Sequence, residues 1–554
     1  MKTSNIENDL VRQAAEETAD PVSIVEAAIA QISTGPEALY QDSVIAAFKT
    51  IRQKDDLTYT RLAMKAEGHM TRLDKLTRPE REGNDNSVPD RIIQIVKERC
   101  TLGHDADGRA VAVIDDGRVR QAWHVDGHGF QEWLRAAYFE VTQEGISINA
   151  LETATATIAA IGRHQGDEMT VSVRCARHGA AYFIDLCDEA WRAIRVDQDG
   201  WNVVERPPVL FTRTKNMRPI PVPRNPGALD KLWANVNIPE DRRLMLLAWL
   251  LDAYRPDTPF PILELSGEQG SAKSSTQRRL RDLIDPNKVA LRGRPKTVED
   301  IYVGAGNNWI VSFENLSHLT PEQQDALCTL ATGGGYASRQ FYTNGDEFVL
   351  ETKRPVIING INAVATQPDL IERVVGIEAP TIPADRREDE QTLENKWQAD
   401  YPFVLAGVLD LFSSALKRLP EIKLREKHRL ADYQLLGEAV ARALGHPKGH
   451  FTKVFGQAVG EGVERSLETY GAAHALQVFV NGLTKPWEGT VMALLSELNA
   501  LHCMDRSNWP KSPRGLSGQL KRLTPGLRQR GVIIEKKQKA REGALVRISA
   551  AGSK

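Results

Sequence analysis

The run Gly267-Glu268-Gln269-Gly270-Ser271-Ala272-Lys273-Ser274-Ser275 limits the fold of this chain more than any other stretch. Its frame, G-x-x-x-x-A-K-S, is one residue from the phosphate-binding loop G-x-x-x-x-G-K-[ST]. The flanks fit such a loop. Phe260 to Leu265 is a mostly apolar run of strand length, and Ser274 to Ile284 carries Leu280, Leu283 and Ile284 at helical spacing. A strand that turns through glycine into a helix N-terminus aims backbone N–H groups and a positive dipole end at a polyphosphate. Gly267, Gly270, Ser271, Ala272, Lys273, Ser274 and Ser275 are therefore the expected ATP-binding residues. Lys273 would reach the β- and γ-phosphates, and the Ser274 hydroxyl would hold Mg²⁺. Ala272 stands where glycine is usual, and its methyl group is tolerated if φ is negative there. A chance glycine turn before a helix is the plain alternative.

With 554 residues the chain has room for several domains, and 41% hydrophobic with 26% charged residues is ordinary for a globular protein. No apolar run reaches the ~18 residues of a membrane span. The first residues, Met1 to Asp9, lack the apolar core of a signal peptide. Five scattered cysteines without a C-x-x-C pair fit a reducing cytoplasm. The net charge of −2 hides an asymmetry, because Arg506 to Lys554 holds thirteen Lys/Arg and two acids. A basic end of this kind is the footprint of a nucleic-acid-binding module, or else a solvated basic tail.

The chain divides into five expected segments. Residues 1–87 read as a helical region and linker, and 88–217 as a mixed α/β domain. In the latter, 110–114 and 118–124 form a hairpin around Asp116-Gly117. The stretch Arg218 to Gly227 is a stiff proline-rich linker and a domain boundary. Residues 228–385 form the nucleotide-binding module, 386–485 a helical region, and 486–554 a basic C-terminal module. His164, Cys175, His178 and Cys187 match no standard zinc finger.

A phosphate loop needs an acid at the end of a nearby strand. Trp309 to Phe313 is such a strand and ends in Glu314-Asn315, 41 residues after Lys273. Glu314 can bind Mg²⁺ through water, and Asn315 can orient a water although it cannot take a proton as a carboxylate does. A second strand, Pro355 to Ile358, ends in Asn359, which could touch the γ-phosphate or the attacking water. Arg373 follows fourteen residues later, as an arginine finger or as a surface ion-pair partner; Arg386 and Arg387 are the next candidates. Between the strands lie Gly333-Gly334-Gly335 and a hairpin signal at Asn344-Gly345.

This order of parts, spanning 87 residues from Lys273 to Asn359, resembles the superfamily III helicases of viruses, phages and plasmids. The closer likeness is to bacterial mobile-element and prophage ATPases of the poxvirus and phage primase-helicase group. The runs Ser266 to Ser275, Phe313 to Leu316, Leu330 to Tyr342 and Arg354 to Ile361 carry the likeness, which is specific over about 230–385. Minichromosome-maintenance helicases share the Ala-Lys-Ser ending. The resemblance implies an AAA+ ATPase core, a homo-hexameric ring and hairpins that grip DNA. One departure is the tip Asn344-Gly345-Asp346-Glu347, which is acidic and repels phosphate. Arg339 and Lys353 flank it and could substitute.

In the C-terminal module, Thr490 to Leu501 and Leu516 to Leu523 read as a helix pair, followed by strands at 532–535 and 544–548. Two strands around a basic turn after a helix pair describe a winged helix-turn-helix. Lys521 and Arg522 on the second helix, with Lys536, Lys537, Lys539 and Arg541 in the wing, are the expected DNA contacts. The expectation is a multidomain α/β protein of the cytoplasm, with no membrane partner. It has a P-loop AAA+ core, a mixed α/β N-terminal region and a C-terminal winged helix. Its expected function is that of an ATP- and Mg²⁺-dependent DNA helicase or translocase of a mobile element. The alternative is a nucleotide-switched DNA-binding or assembly protein without processive unwinding.

Overall fold

A computed structural model describes residues 20–66, 68–77, 87–339, 347–468, 470–501, 509–537 and 545–551. The fold is mixed α/β. It separates into two compact units, Met1–Arg91 and Ile92–Lys554.

The first unit is helical. Its helices are α1 (Pro21–Ala30), α2 (Asp42–Lys54), α3 (Asp56–Lys65) and α4 (Met70–Thr77). Val25, Leu39, Phe48, Tyr59, Leu62 and Leu73 fill its core. The N-cap carboxylate of Asp55 accepts from Thr58 N at 3.1 Å and starts α3.

The second unit follows α5 (Val88–Arg99), within which the unit boundary falls. Strands β1 (Cys100–His104), β2 (Ala110–Asp115) and β3 (Arg120–His124) form an antiparallel meander. The hairpin expected at 110–124 is β2 and β3, and Asp116 Oδ1 closes its turn by accepting from Arg118 N and Val119 N. Helices α6 (His128–Thr142) and α7 (Ile148–Gln165) follow, and β4 (Asp167–Glu168) adds in parallel to β1. After β5 (Val171–Ser172) comes a second antiparallel sheet, β6 (Cys175–His178), β7 (Ala181–Asp185), β8 (Ala193–Asp197) and β9 (Gly200–Val204), in that order. Strand β10 (Leu210–Phe211) pairs with β5.

The proline-rich stretch does not separate two bodies. Ile220 is buried, its N–H donates to Leu186 O at 2.9 Å, and Arg218 N donates to Pro286 O at 2.9 Å. Prolines make the segment stiff and extended, but Ile220 faces a core shared by both sides. That core joins Tyr182, Ile184 and Ile194 of the small sheet to Leu246, Leu250, Val404 and Leu409 further along. A fully buried ion pair crosses the same seam: Arg174 Nε lies 3.1 Å from Asp285 Oδ1, both side chains 0% exposed. Asp285 Oδ2 in turn accepts from Trp309 N and Ile310 N.

Beyond the seam lie α8 (Leu232–Asn235), α9 (Arg243–Asp252), β11 (Ile262–Ser266), α10 (Lys273–Ile284), α11 (Val298–Asn307), β12 (Val311–Phe313) and α12 (Pro321–Thr332). The hairpin β13 (Gly334–Arg339) and β14 (Glu347–Thr352) precedes β15 (Val356–Asn359), α13 (Pro368–Ile371) and β16 (Val374–Glu378). Strands β12, β15, β11 and β16 form one four-stranded sheet in that order, every pair parallel. The chain leaves β11 toward one edge and returns past it to β16 on the other side. The C-terminal end of β11 is therefore a topological switch point, where open α/β sheets bind ligands. Apolar runs such as Val356-Ile357-Ile358 suit a sheet buried on both faces. In the hairpin, Arg339 pairs with Glu347 in register; the expected tip at Asn344 to Asp346 lies outside the described residues.

Helix α14 (Glu390–Arg418) packs on β8 and β9 of the small sheet, α15 (Ala431–Ala443) against α14 and α9, and α16 (His450–Glu468) against β16 of the parallel sheet. The segment Glu390–Glu421 is long and apolar enough to cross a membrane, yet 61% of its apolar window is buried inside the protein. It serves as a core helix. The last elements are α17 (Gly471–Asn481), β17 (Trp487–Thr490), α18 (Val491–Ala500), α19 (Pro513–Gln529), β18 (Val532–Lys536) and β19 (Leu545–Ala550). Their antiparallel sheet, β17-β19-β18, covers the three helices. Leu476 and Val480 of α17 share its core with Leu494, Leu498, Leu516 and Leu520. This module therefore starts at about residue 471, not at the expected 486, because the apolar face of α17 turns toward it.

Candidate functional site

Gly267 and Gly270 shape the loop between β11 and α10. Gly267 has φ 141° and Gly270 φ 81°, regions that side chains rarely adopt. A Cβ on Gly267 would stand 2.5 Å from Ala379 O, so this position needs glycine for space as well as for angle. Asn237 pins the loop from outside: its Nδ2 donates to Ser271 O at 2.9 Å and to Pro380 O at 2.6 Å. Ala272 caps the helix at φ 52°, ψ 30°, in the left-handed region. The negative φ expected there is not found. The loop forms anyway, with the strain that a Cβ carries in this region.

The Lys273 ammonium donates to Gly267 O and Glu268 O, each at 2.7 Å, and to Ser271 Oγ at 3.1 Å. Partial burial lowers its pKa. Ser274 follows in the first turn of α10, where backbone N–H groups have no partner within the helix.

Two further strand ends lie at the same edge of the sheet. Glu314 leaves β12, and its N–H donates to Arg292 O at 2.8 Å. Asn315 follows at φ 53°. Asn359 ends β15, directly beside β11. It is 0% exposed, its Oδ1 accepts from Asn315 N at 2.9 Å, and its Nδ2 donates to Gln277 Oε1 at 2.5 Å. Asn359, expected to touch the γ-phosphate or the attacking water, is thus turned to internal partners.

Arg373 stands elsewhere. Its carbonyl accepts from Ile262 N at 2.9 Å, which fixes it at the start of β11, about 15 Å along the strand from the loop. Its guanidinium pairs with Asp369 and is 12% exposed. Arg429 joins the same group, at 2.6 Å from Asp369 and 2.7 Å from Glu372. Arg387 lies at the loop instead, near enough that a Cβ on Gly270 would meet its Nη2 at 2.6 Å. It therefore faces the loop of its own chain.

A cavity of about 550 Å³ opens beside the loop, walled by Trp233, Val236, Ala272, Ser275, Ile382 and Arg387. Apolar and cationic walls next to a helix N-terminus suit a base and its phosphates. A second cleft of about 820 Å³ takes in Glu314 with Arg278, Asp282, Lys288 and Glu394. Burial raises the Asp282 carboxyl pKa to about 6.

Of the expected DNA contacts, Lys353 is partly buried at the hairpin base, its ammonium 5.8 Å from the Phe260 ring. Desolvation lowers its pKa. Lys521 and Lys536 are exposed. Lys537 pairs with Glu488 at 2.7 Å, so this lysine is partly neutralised. Arg339 closes β13 and Arg522 lies on α19, while Lys539 and Arg541 lie outside the described residues.

The sequence reading missed Gln277 and Asn237. Gln277 had a signal, since it is a polar residue on the buried stripe shared by Leu280 and Ile284. Asn237 had none, because it lies in a loop 30 residues before Gly267.

Comparison with known proteins adds a context. Among curated proteins none matches. Among solved structures, the A form apo structure of the NrS-1 C terminal region covers 84% of this chain and 100% of its own, at 12% identity and a TM-score of 0.36. A further apo structure of that region covers 84% and 100%, at 11% identity and a TM-score of 0.34. A JCV helicase with a bound small molecule covers 42% of this chain and 70% of its own, at 13% identity and a TM-score of 0.20. Two family models match in order along the chain. Residues 229–447 match "Actinomycete integrative conjugative element replication protein" and residues 472–554 match "AICE RepA C-terminal domain". Through these two regions the chain is similar to the replication proteins of actinomycete integrative conjugative elements.

Proposed function

We propose that the chain is a P-loop ATPase that works on DNA during replication of such an element, as a helicase or translocase assembled in a ring. One observation carries the reading. The glycine loop with Lys273, the Glu314-Asn315 corner and Asn359 sit at one edge of a parallel sheet, on three neighbouring strands. Lys273 would exchange its contacts with loop carbonyls for phosphate oxygens, its charge then neutralised by a ligand. The Ser274 hydroxyl and Glu314 are oxygen donors of the kind Mg²⁺ takes, and they would hold it. When bound, the metal neutralises charge on the β- and γ-phosphates. Glu314 and Asn315 would orient the attacking water. Asn359 would keep that corner in place from behind. The cavity beside Trp233 would hold the base, with Arg387 over the phosphates of its own chain. The C-terminal helices and sheet would act as a winged helix, with Lys521 and Lys536 toward DNA phosphates.

Lys273→Ala should abolish ATP binding and leave the fold intact, because Lys273 touches loop oxygens and not the core. Calorimetric ATP titration with a parallel circular-dichroism melt checks this; unchanged affinity sinks the assignment. The Asn315 position favours a second reading, since it supplies an amide where a second carboxylate would help to activate water. In that reading ATP controls assembly without processive unwinding. Turnover with and without single-stranded DNA, beside a fork-unwinding assay, separates the two.

A further inference from the structure

Gln277 is fully buried one helical turn after Lys273, on the same face of α10. Its Nε2 donates to Ser312 Oγ at 2.8 Å and to Phe313 O at 3.0 Å, with Ile357 O more distant at 3.4 Å. Its Oε1 accepts from Asn359 Nδ2 at 2.5 Å, and Asn359 Oδ1 accepts from Asn315 N at 2.9 Å. One side chain of α10 thus reaches β12 through Ser312 and Phe313, and β15 through Asn359.

The sense of these bonds follows from their two ends. Asn315 N–H can only donate, so Asn359 turns its oxygen to it and its nitrogen to Gln277. Phe313 O can only accept, so Gln277 turns its nitrogen to it and leaves its oxygen for Asn359. Either amide reversed would set donor against donor or acceptor against acceptor. The arrangement is therefore complete in one sense only, and removing any member strands the others.

We propose that Gln277 is a positioning residue, which ties the helix turn carrying Lys273 to the strand ends carrying Glu314, Asn315 and Asn359, so that cation and acid keep one spacing through turnover. The proposal rests on the ATPase reading above. A leucine or methionine would fill this place on an apolar stripe without needing four polar partners, so packing does not call for an amide here. What the amide supplies is geometry. The Glu314-Asn315 corner turns through a left-handed Asn315, and its N–H is fixed by Asn359, which Gln277 holds. If Asn359 is released, the corner can relax while the glycine loop, held separately by Asn237, stays formed. Nucleotide binding then survives and the chemical step suffers.

The test measures ATP turnover and ATP affinity in the full chain, parent beside Gln277→Met, Asn359→Ala and the double variant. Gln277→Met is expected to keep KM and Kd within about threefold while kcat falls about tenfold or more. Asn359→Ala should do the same. The double variant should be no slower than the worse single, as the two act through one corner. Asn359→Ala gives the same split if Gln277→Met does not fold, and Ser312→Ala, which removes one of several partners, should lower kcat about two- to threefold with KM and Kd unchanged. A folded Gln277→Met with parental kcat overturns the relay alone. So does an equal loss in kcat and affinity, which marks general damage. A parent chain that binds no ATP, or that binds it as well after Lys273→Ala, overturns the ATPase reading and the relay with it.

Discussion

Ala272 carries a backbone angle that suits glycine better than alanine. The loop demands a left-handed turn into α10, and alanine takes it at φ 52°. An L-residue with a Cβ loses about 1–2 kcal/mol in this region, which glycine does not. Ala272→Gly should therefore stabilise the chain by about 1 kcal/mol, after allowing for the extra freedom that glycine has when unfolded. Urea melts followed by tryptophan emission check this, and a lower midpoint would contradict it. ATP affinity should stay within about twofold, because the backbone already holds the conformation that glycine prefers. Asn315 at φ 53° carries the same demand with less strain, since asparagine enters this region more readily. The two left-handed residues flank the proposed reaction site, one in the phosphate loop and one at the acidic corner.

At the scale of elements, the C-terminal module gives the sharpest test of where one body ends. Val491, Leu494 and Leu498 of α18 are buried against α17 and α19, so a cut at Asp505 would strip α18 of half its cover. A chain ending at Tyr470 should be soluble, lack the DNA affinity of the full chain and show a flatter salt dependence, at about 0.9 log unit per lost phosphate contact on duplex DNA. A chain ending at Asp505 should aggregate. Gel filtration and salt-titrated anisotropy check both, and parental affinity after the cut at Tyr470 would remove this module from the DNA interface. The same elements show what the sequence made legible. Strands β11, β12 and β15 could be read because apolar runs end in motif residues. Strand β16 could not, since its five residues are interrupted by Gly376 and end without a signal. Prolines around 220 read as a linker, because sequence shows their stiffness but not the partner that buries Ile220. The site residues at strand ends were readable as types. Their roles were not, since burial decides that Asn359 faces Gln277 and that Arg373 pairs with Asp369.

At the scale of the whole molecule, Arg373 and the glycine loop occupy opposite ends of the parallel sheet, so within one chain Arg373 is out of reach of the loop. To serve the site of a neighbouring subunit it must leave Asp369, its partner in α13. If the ring exists, Arg373→Ala should bind ATP normally and hydrolyse it slowly. Rings mixed from Arg373→Ala and Lys273→Ala subunits should regain part of the turnover, at interfaces that pair an intact lysine with an intact arginine. Absence of recovery in rings shown to hold both subunits would leave Arg373 with its ion pair alone. The buried Arg174–Asp285 pair has a consequence in time. The two residues are 111 apart in the chain, and neither side chain meets solvent. During synthesis at about 5–20 residues per second, Arg174 emerges roughly 5–20 s before its partner. Over that interval Arg174 can donate to Asp185 O and then to Arg218 O, and its ion pair across the seam forms only when Asp285 arrives.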